Sequence, residues 1–218
     1  MMMADCSGLV RICVAISSSL LALAGCSSET AGEPAGQVSS NSSPSSGSAN
    51  GGDIPDLTVS NPLNVDPFID RPCDLVPKRV ADSFGGGTGQ EAKGELADHL
   101  GPSCNWDLKG NGRAFHVSLG SETRRMGGRG LVEIYENVKA GIGGYVEPTE
   151  IPGHPQYPAA FGTLDDDKRS EGYCPVNIGT SNDMVVTVAF ENLVKPSQAC
   201  PAALRVAASV LDTLKKGD

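Results

Sequence analysis

The sequence predicts an α+β fold: an antiparallel sheet of hairpins with flanking helices, in a single domain stapled by two disulfides. Three observations predict it. Residues 103–120 and 173–191 each read as two strands joined by a turn, so strands pair with their neighbours in sequence. Apolar stripes of helical period sit around these strand runs and do not alternate with them one for one. Four cysteines (Cys73, Cys104, Cys174 and Cys200) fall in the same region, with no C-x-x-C spacing that would mark a zinc site or a thioredoxin-type redox pair.

Taken in order, residues 77–84 form a short helix: Pro77 suits the first turn, Val80 and Phe84 share a face, and Gly85 ends it. Gly85 to Gly89 is a flexible turn. Residues 103–108 are a strand with Cys104 and Trp106 on one face, and residues 109–112 are a strong hairpin signal. Residues 114–120 return as a strand, with Phe115, Val117 and Leu119 inward and His116 and Ser118 outward. Residues 131–140 are helical, with Leu131, Ile134, Tyr135 and Val138 on one stripe. Residues 145–151 and 157–162 are short strands around a turn that holds His154. Residues 173–179 and 184–191 form the clearest hairpin, and the β-branched density from Met184 to Phe190 marks a central strand. Residues 200–215 close the chain as a helix with Leu204, Ala207, Val210 or Leu211, and Leu214 on its buried stripe.

The amino terminus has a different character. Residues 12–24 are apolar but shorter than the ~20 residues needed to span a bilayer. Preceded by Arg11, they have the length of a signal-peptide core. Leu23, Ala24, Gly25 and Cys26 look like a bacterial lipobox, in which the cysteine thiol takes a diacylglycerol before cleavage and becomes the new terminus. Ser27 to Gly52 is almost wholly Ser, Gly, Asn, Ala, Pro and Thr, a composition that cannot bury apolar area. A leash of that length reaches about 25–30 Å. The expected organisation is a signal peptide at 1–25, a lipidated cysteine and leash at 26–53, an extended lead-in at 54–72, and the α+β domain at 73–218. The expected location is export, with lipid anchorage through Cys26 to the outer face of the cytoplasmic membrane.

Export puts the four domain cysteines in an oxidising compartment, where an even number reads as disulfides. Three pairings are possible. Cys73–Cys104 with Cys174–Cys200, each joining sequence neighbours, is favoured, and each would close a loop of roughly 30 residues worth ~3–4 kcal/mol.

The chain has 17 basic and 26 acidic residues, a net charge of −9. Loss of residues 1–25 removes one charge of each sign, Asp5 and Arg11. A field of that sign repels phosphate backbones and anionic headgroups, so nucleic acid is not an expected partner.

Chemical motifs are sparse. The three histidines, His99, His116 and His154, have no neighbours at metal-ligand or triad spacing. The 85–89 tract follows a helix, unlike a dinucleotide fingerprint, and no P-loop or Gly-x-Ser-x-Gly elbow occurs. Arg124, Arg125 and Arg129 precede the helix at Leu131, whose amino terminus is a possible anion site. Asp165, Asp166 and Asp167 with Glu171 have the oxygen ligands for calcium but not the spacing of an EF-hand, and read as a solvated turn. No cofactor or metal is expected.

Asp70 to Leu75 leading into a short helix, Cys104-Asn105-Trp106, Tyr173-Cys174-Pro175-Val176 opening a hairpin, and Cys200 beginning the last helix together resemble the actinobacterial lipoproteins of the LprB and LprC type, a family of unknown function. The resemblance covers about residues 66–216. It implies a secreted, lipid-anchored domain with paired cysteines and carries over no catalytic residue. The tracts at 85–89 and 165–167 read as insertions relative to the family pattern. The leading expectation is a non-enzymatic cell-envelope domain that binds a lipid, a glycan or another envelope protein. The alternatives are an envelope hydrolase and a regulatory subunit of a membrane sensor or transporter.

Overall fold

A computed structural model describes residues 53–91, 101–108 and 112–217. Cys26 with the signal segment and leash, His99, and the turn at 109–111 lie outside the described residues. Within them, seven strands form one antiparallel sheet: β1 (Gln90–Glu91), β2 (Ser103–Asp107), β3 (Arg113–Leu119), β4 (Tyr145–Thr149), β5 (Ala159–Thr163), β6 (Tyr173–Ser181) and β7 (Met184–Asn192). Their order is β1-β2-β3-β7-β6-β5-β4. Four helices accompany them: α1 (Lys78–Ser83), α2 (Ser121–Arg125), α3 (Leu131–Lys139) and α4 (Ala199–Gly217). Sequence periodicity anticipates all of these except β1 and α2, which are too short to show a period.

The sheet is two meanders, β1–β3 and β4–β7, closed on each other by the β3–β7 pair, which runs in register from Arg113↔Asn192 to Leu119↔Val186. On one face three apolar rows cross the strands: Trp106–Phe115–Phe190–Cys174, Cys104–Val117–Val188–Val176 and Leu119–Val186–Ile178–Ala159. The Trp106, Phe115 and Phe190 rings stack at centroid distances of 4.6 and 5.8 Å, and Phe84 closes on Phe115 and Phe190 at 6.0 and 5.1 Å. Helix α4 packs on β6 and β7, burying Ala203, Val206, Ala207, Val210, Leu211 and Leu214 completely. Ala207, Val210, Leu211 and Leu214 are buried as the sequence expects, and Leu204 is the exception. Leu204 is only half-buried, and small Ala203 and Ala207 face the core, letting the helix approach the strands closely.

Both disulfides are the sequence-neighbour pairs, Cys73–Cys104 and Cys174–Cys200. Both leave the apolar face. One ties the 3-10 turn Pro72–Leu75 to β2, and the other ties the first turn of α4 to β6. The staples thus hold covering elements to the sheet.

The lead-in at 54–72 is extended for most of its length, as its prolines predict, and it is also core. Val59, Leu63, Val65 and Phe68 are buried in the main cluster. The Val59 N–H donates to Asn182 Oδ1 at 2.8 Å and the Leu63 N–H to the Thr180 carbonyl at 2.8 Å, so this chain crosses the β6–β7 turn. The folded unit therefore begins ahead of residue 73. The glycine tract does more than turn. A Cβ on Gly89 would lie 2.6 Å from Cys104 Sγ and 2.8 Å from the Trp106 ring, so the segment rests on β2 there only because Gly89 lacks a side chain.

Replacing Cys174 and Cys200 together with alanine is expected to cost about 3.5 kcal/mol from loop-closure entropy. Urea unfolding of the oxidised parent and the double variant checks this. An unchanged midpoint would mean that the bridge adds no stability.

Candidate functional site

The second face of the sheet is divided. Over β4 and β5, Leu131 and Tyr135 of α3 and Leu57 of the lead-in bury Val146 and Ala160, with Val185 alongside. Burial pushes the Tyr135 phenol up to about 12. Toward β2 and β3 the alternation of the same strands presents small and polar residues in three rows. These are Ser103–Ser118–Thr187–Asn177, Asn105–His116–Ala189–Pro175 and Asp107–Ala114–Glu191–Tyr173. Asn177 fixes its row by donating from Nδ2 to the Gly162 carbonyl at 2.8 Å and accepting from the Thr187 hydroxyl at 2.8 Å.

A depression of about 260 Å³ opens over the other two rows, with Asn105, His116, Ala189, Glu191 and Tyr173 in its lining. His116 is half-buried there, and desolvation lowers its pKa by disfavouring the charged ring. A second depression, of about 290 Å³, shares Tyr173 and Glu191 with the first. Its other walls include Asp165, Asp166, Lys168 and Glu171 of the β5–β6 loop and Leu193 beyond β7.

Arg169 places that loop. Its guanidinium pairs with Asp167 at 2.7 Å and Glu147 at 2.9 Å, and lies over the Tyr145 and Phe161 rings at 4.7 and 5.6 Å. The hydrogen bond that Arg169 donates to Asp167 leads the causes that raise the Arg169 pKa. Burial pushes the Tyr145 phenol up to about 12, against the opposing charge of Arg169. With Asp167 and Glu147 taken, Asp165, Asp166, Glu171 and Glu191 make no salt bridge among the described residues. The Tyr173 phenol registers them: burial raises its pKa first, and the charges of Asp165 and Glu191 raise it further.

The arginines singled out from sequence are each engaged. Arg124 pairs with Asp66 at 2.6 Å, Arg125 with Glu122 at 2.7 Å, and Arg129 with Glu136. The amino terminus of α3 already has an anion of the chain's own, since the Arg129 N–H donates to Glu133 Oε2 at 3.1 Å. His154, read as a turn residue, is in the β4–β5 turn but only 5% exposed, with Nε2 3.3 Å from Asp212 Oδ1 on α4. No three His, Cys, Asp or Glu side chains converge to hold a metal ion among the described residues. The acidic tract is split, Asp167 binding Arg169 while Asp165 and Asp166 line the trough.

Tyr173, Glu191, Ala189 and Asn105 were not expected as site residues, although Asn105 and Tyr173 flank cysteines in the resembling motifs. The signal was present in β7, where Val185, Thr187, Ala189 and Glu191 alternate with the apolar set, but alternation does not say whether the second face is covered.

Fold and site together define a two-disulfide α+β domain with one half of a sheet face left open among the described residues. The chain belongs to the DUF3558 family, proteins of unknown function, whose profile matches residues 21–213. No curated protein and no solved structure matches the chain.

His116 predicts an acid sensitivity. Its folded pKa lies below the ordinary 6.5, so between the two values the unfolded chain binds more protons. The associated stability is fully present above that value and is lost as pH falls through the window beneath it. His116→Gln is expected to flatten the dependence of unfolding free energy on pH just below 6.5. Parallel slopes for variant and parent would refute the desolvated ring.

Proposed function

We propose that this chain is an exported lipoprotein of the LprB and LprC type. A lipid on Cys26 anchors it to the outer face of the cytoplasmic membrane, and its domain is a non-catalytic binding module. The observation that carries the binding role is the open half-face. A rigid sheet interior to the fold, whose opposite side is fully packed, presents Asn105, His116, Tyr173 and Glu191 around a shared depression. Polar groups fixed on regular strands and set beside small residues such as Ala114 and Ala189 make a recognition surface whose geometry needs no reorganisation on binding. The anchor is supported by the apolar segment ending at Leu23 to Cys26 and the Ser-rich composition after it.

A hydrolase would need a histidine that meets substrate beside a carboxylate. His154 has its carboxylate in Asp212, but the ring is enclosed in a turn tied to α4. His116 meets solvent, and its desolvation opposes taking up a proton as a general base does. These two placements favour binding over hydrolysis.

Full-length protein made in an actinobacterial host is expected to enter the detergent phase on Triton X-114 partition. Cys26→Ala is expected to remain in the aqueous phase. Partition of the parent into the aqueous phase would remove the anchor. Native mass spectra of the same preparations test the binding role: a retained ligand lost in His116→Trp places it on the open face, and a ligand unaffected by that change places it elsewhere.

A further inference from the structure

The two depressions form one acidic trough, and we infer that its occupant is an extended segment of a second envelope protein in which lysine or arginine alternates with apolar residues. This rests on the reading of the open half-face as a binding surface, and names the partner.

Charge comes first. Asp165, Asp166, Glu171 and Glu191 border the trough with Lys168 as the single cation of the β5–β6 loop lining it, and none of the four is neutralised by a salt bridge among the described residues. Other acidic groups nearby, Asp167 and Glu147, are neutralised by Arg169. Four carboxylates without a salt bridge among the described residues thus stand together on the wall of the trough. Because no three of these side chains converge to hold an ion, a single metal cation does not match them. Several cationic side chains strung along a chain do.

Shape comes second. The trough crosses β2, β3, β7 and β6 and continues beside the β5–β6 loop. Three strand spacings of ~4.8 Å give about 14 Å before the loop, room for about four residues of extended chain at ~3.3 Å each. Apolar chemistry comes third. Ile142, Leu164, Leu193 and Val194, exposed by 59, 59, 58 and 65%, all lie in loops at this end of the sheet. They offer contacts to the apolar residues of the alternating segment.

Position and sign separate this partner from a lipid surface. The trough mouth is at the Tyr173 and Glu191 end of the β6–β7 hairpin, while the lead-in chain crosses the opposite end at Asn182. Eight residue steps of ~3.3 Å put the mouth about 25 Å from that crossing. Carboxylates at the mouth also repel anionic headgroups.

The test uses the full-length lipidated protein in non-ionic detergent. Its probe is a fluorescent hexapeptide alternating lysine and valine, compared with a glutamate–valine counterpart and with spermine. The expected result is saturable anisotropy with the lysine peptide and none with the glutamate peptide. Affinity should fall with added salt and at least tenfold in the Asp165→Asn, Asp166→Asn, Glu191→Gln triple variant, whose changes lie at the surface and whose unchanged disulfide mass and circular dichroism report an intact fold. Equal displacement by spermine at matched charge would reduce the trough to a non-specific polycation sink and overturn the inference. So would binding that ignores the triple variant. If the peptide fails to bind while native spectra show a neutral lipid or glycan lost in His116→Trp, this inference falls and the binding surface stands. If neither binds, both fall.

Discussion

Strand β7 carries the whole arrangement. It pairs with β3 on one side and β6 on the other, and is the seam between two meanders that would otherwise be separate small sheets. Met184, Val186, Val188 and Phe190 point to one face and are each no more than 1% exposed. That face receives α4, the lead-in chain and the aromatic stack. Because side chains along a strand alternate, the same residues that commit one face to the core commit Val185, Thr187, Ala189 and Glu191 to the other. A slip of one residue in the β3–β7 register would exchange the two sets. The core and the trough are consequences of a single pairing.

The staples reinforce that asymmetry. Both cross-links rise from the packed face, so they hold the cover to the sheet and leave the opposite half-face unobstructed. Among the described residues, α3 covers the second face only over β4 and β5. Leu131 and Tyr135 reach Val146 and Ala160, and the polar rows on β2, β3 and β7 lie beyond them. Small side chains such as Ala114 and Ala189 leave a depression there.

Electrostatics is organised in the same spirit. The arginines of the basic segment before α3 are bound by carboxylates of the chain, and Glu133 occupies the helix terminus an external anion would need. Arg169, gripped by two carboxylates and two rings, fixes the β5–β6 loop and leaves its remaining acids facing the trough. Desolvation of His116 beside the trough lowers its pKa and so disfavours a positive charge there.

The sequence by itself determined the fold class, most of the elements and the disulfide count. Those depend on local periodicity, turn chemistry and the number of cysteines, all readable within a short window. It also signalled that residues 54–72 are extended and that β7 is central. Three things were decided only by tertiary structure. The lead-in is core because it meets the β6–β7 turn, more than a hundred residues away in the chain. Arg124 is paired because folding brings Asp66 near, whereas Arg125 and Arg129 pair with carboxylates close in sequence. Among the described residues one helix covers half of the second face, and no periodicity states where a covering helix ends. Local sequence sets which side chains share a surface; whether that surface is buried, neutralised or left open depends on contacts between distant segments, and a single sequence does not display those.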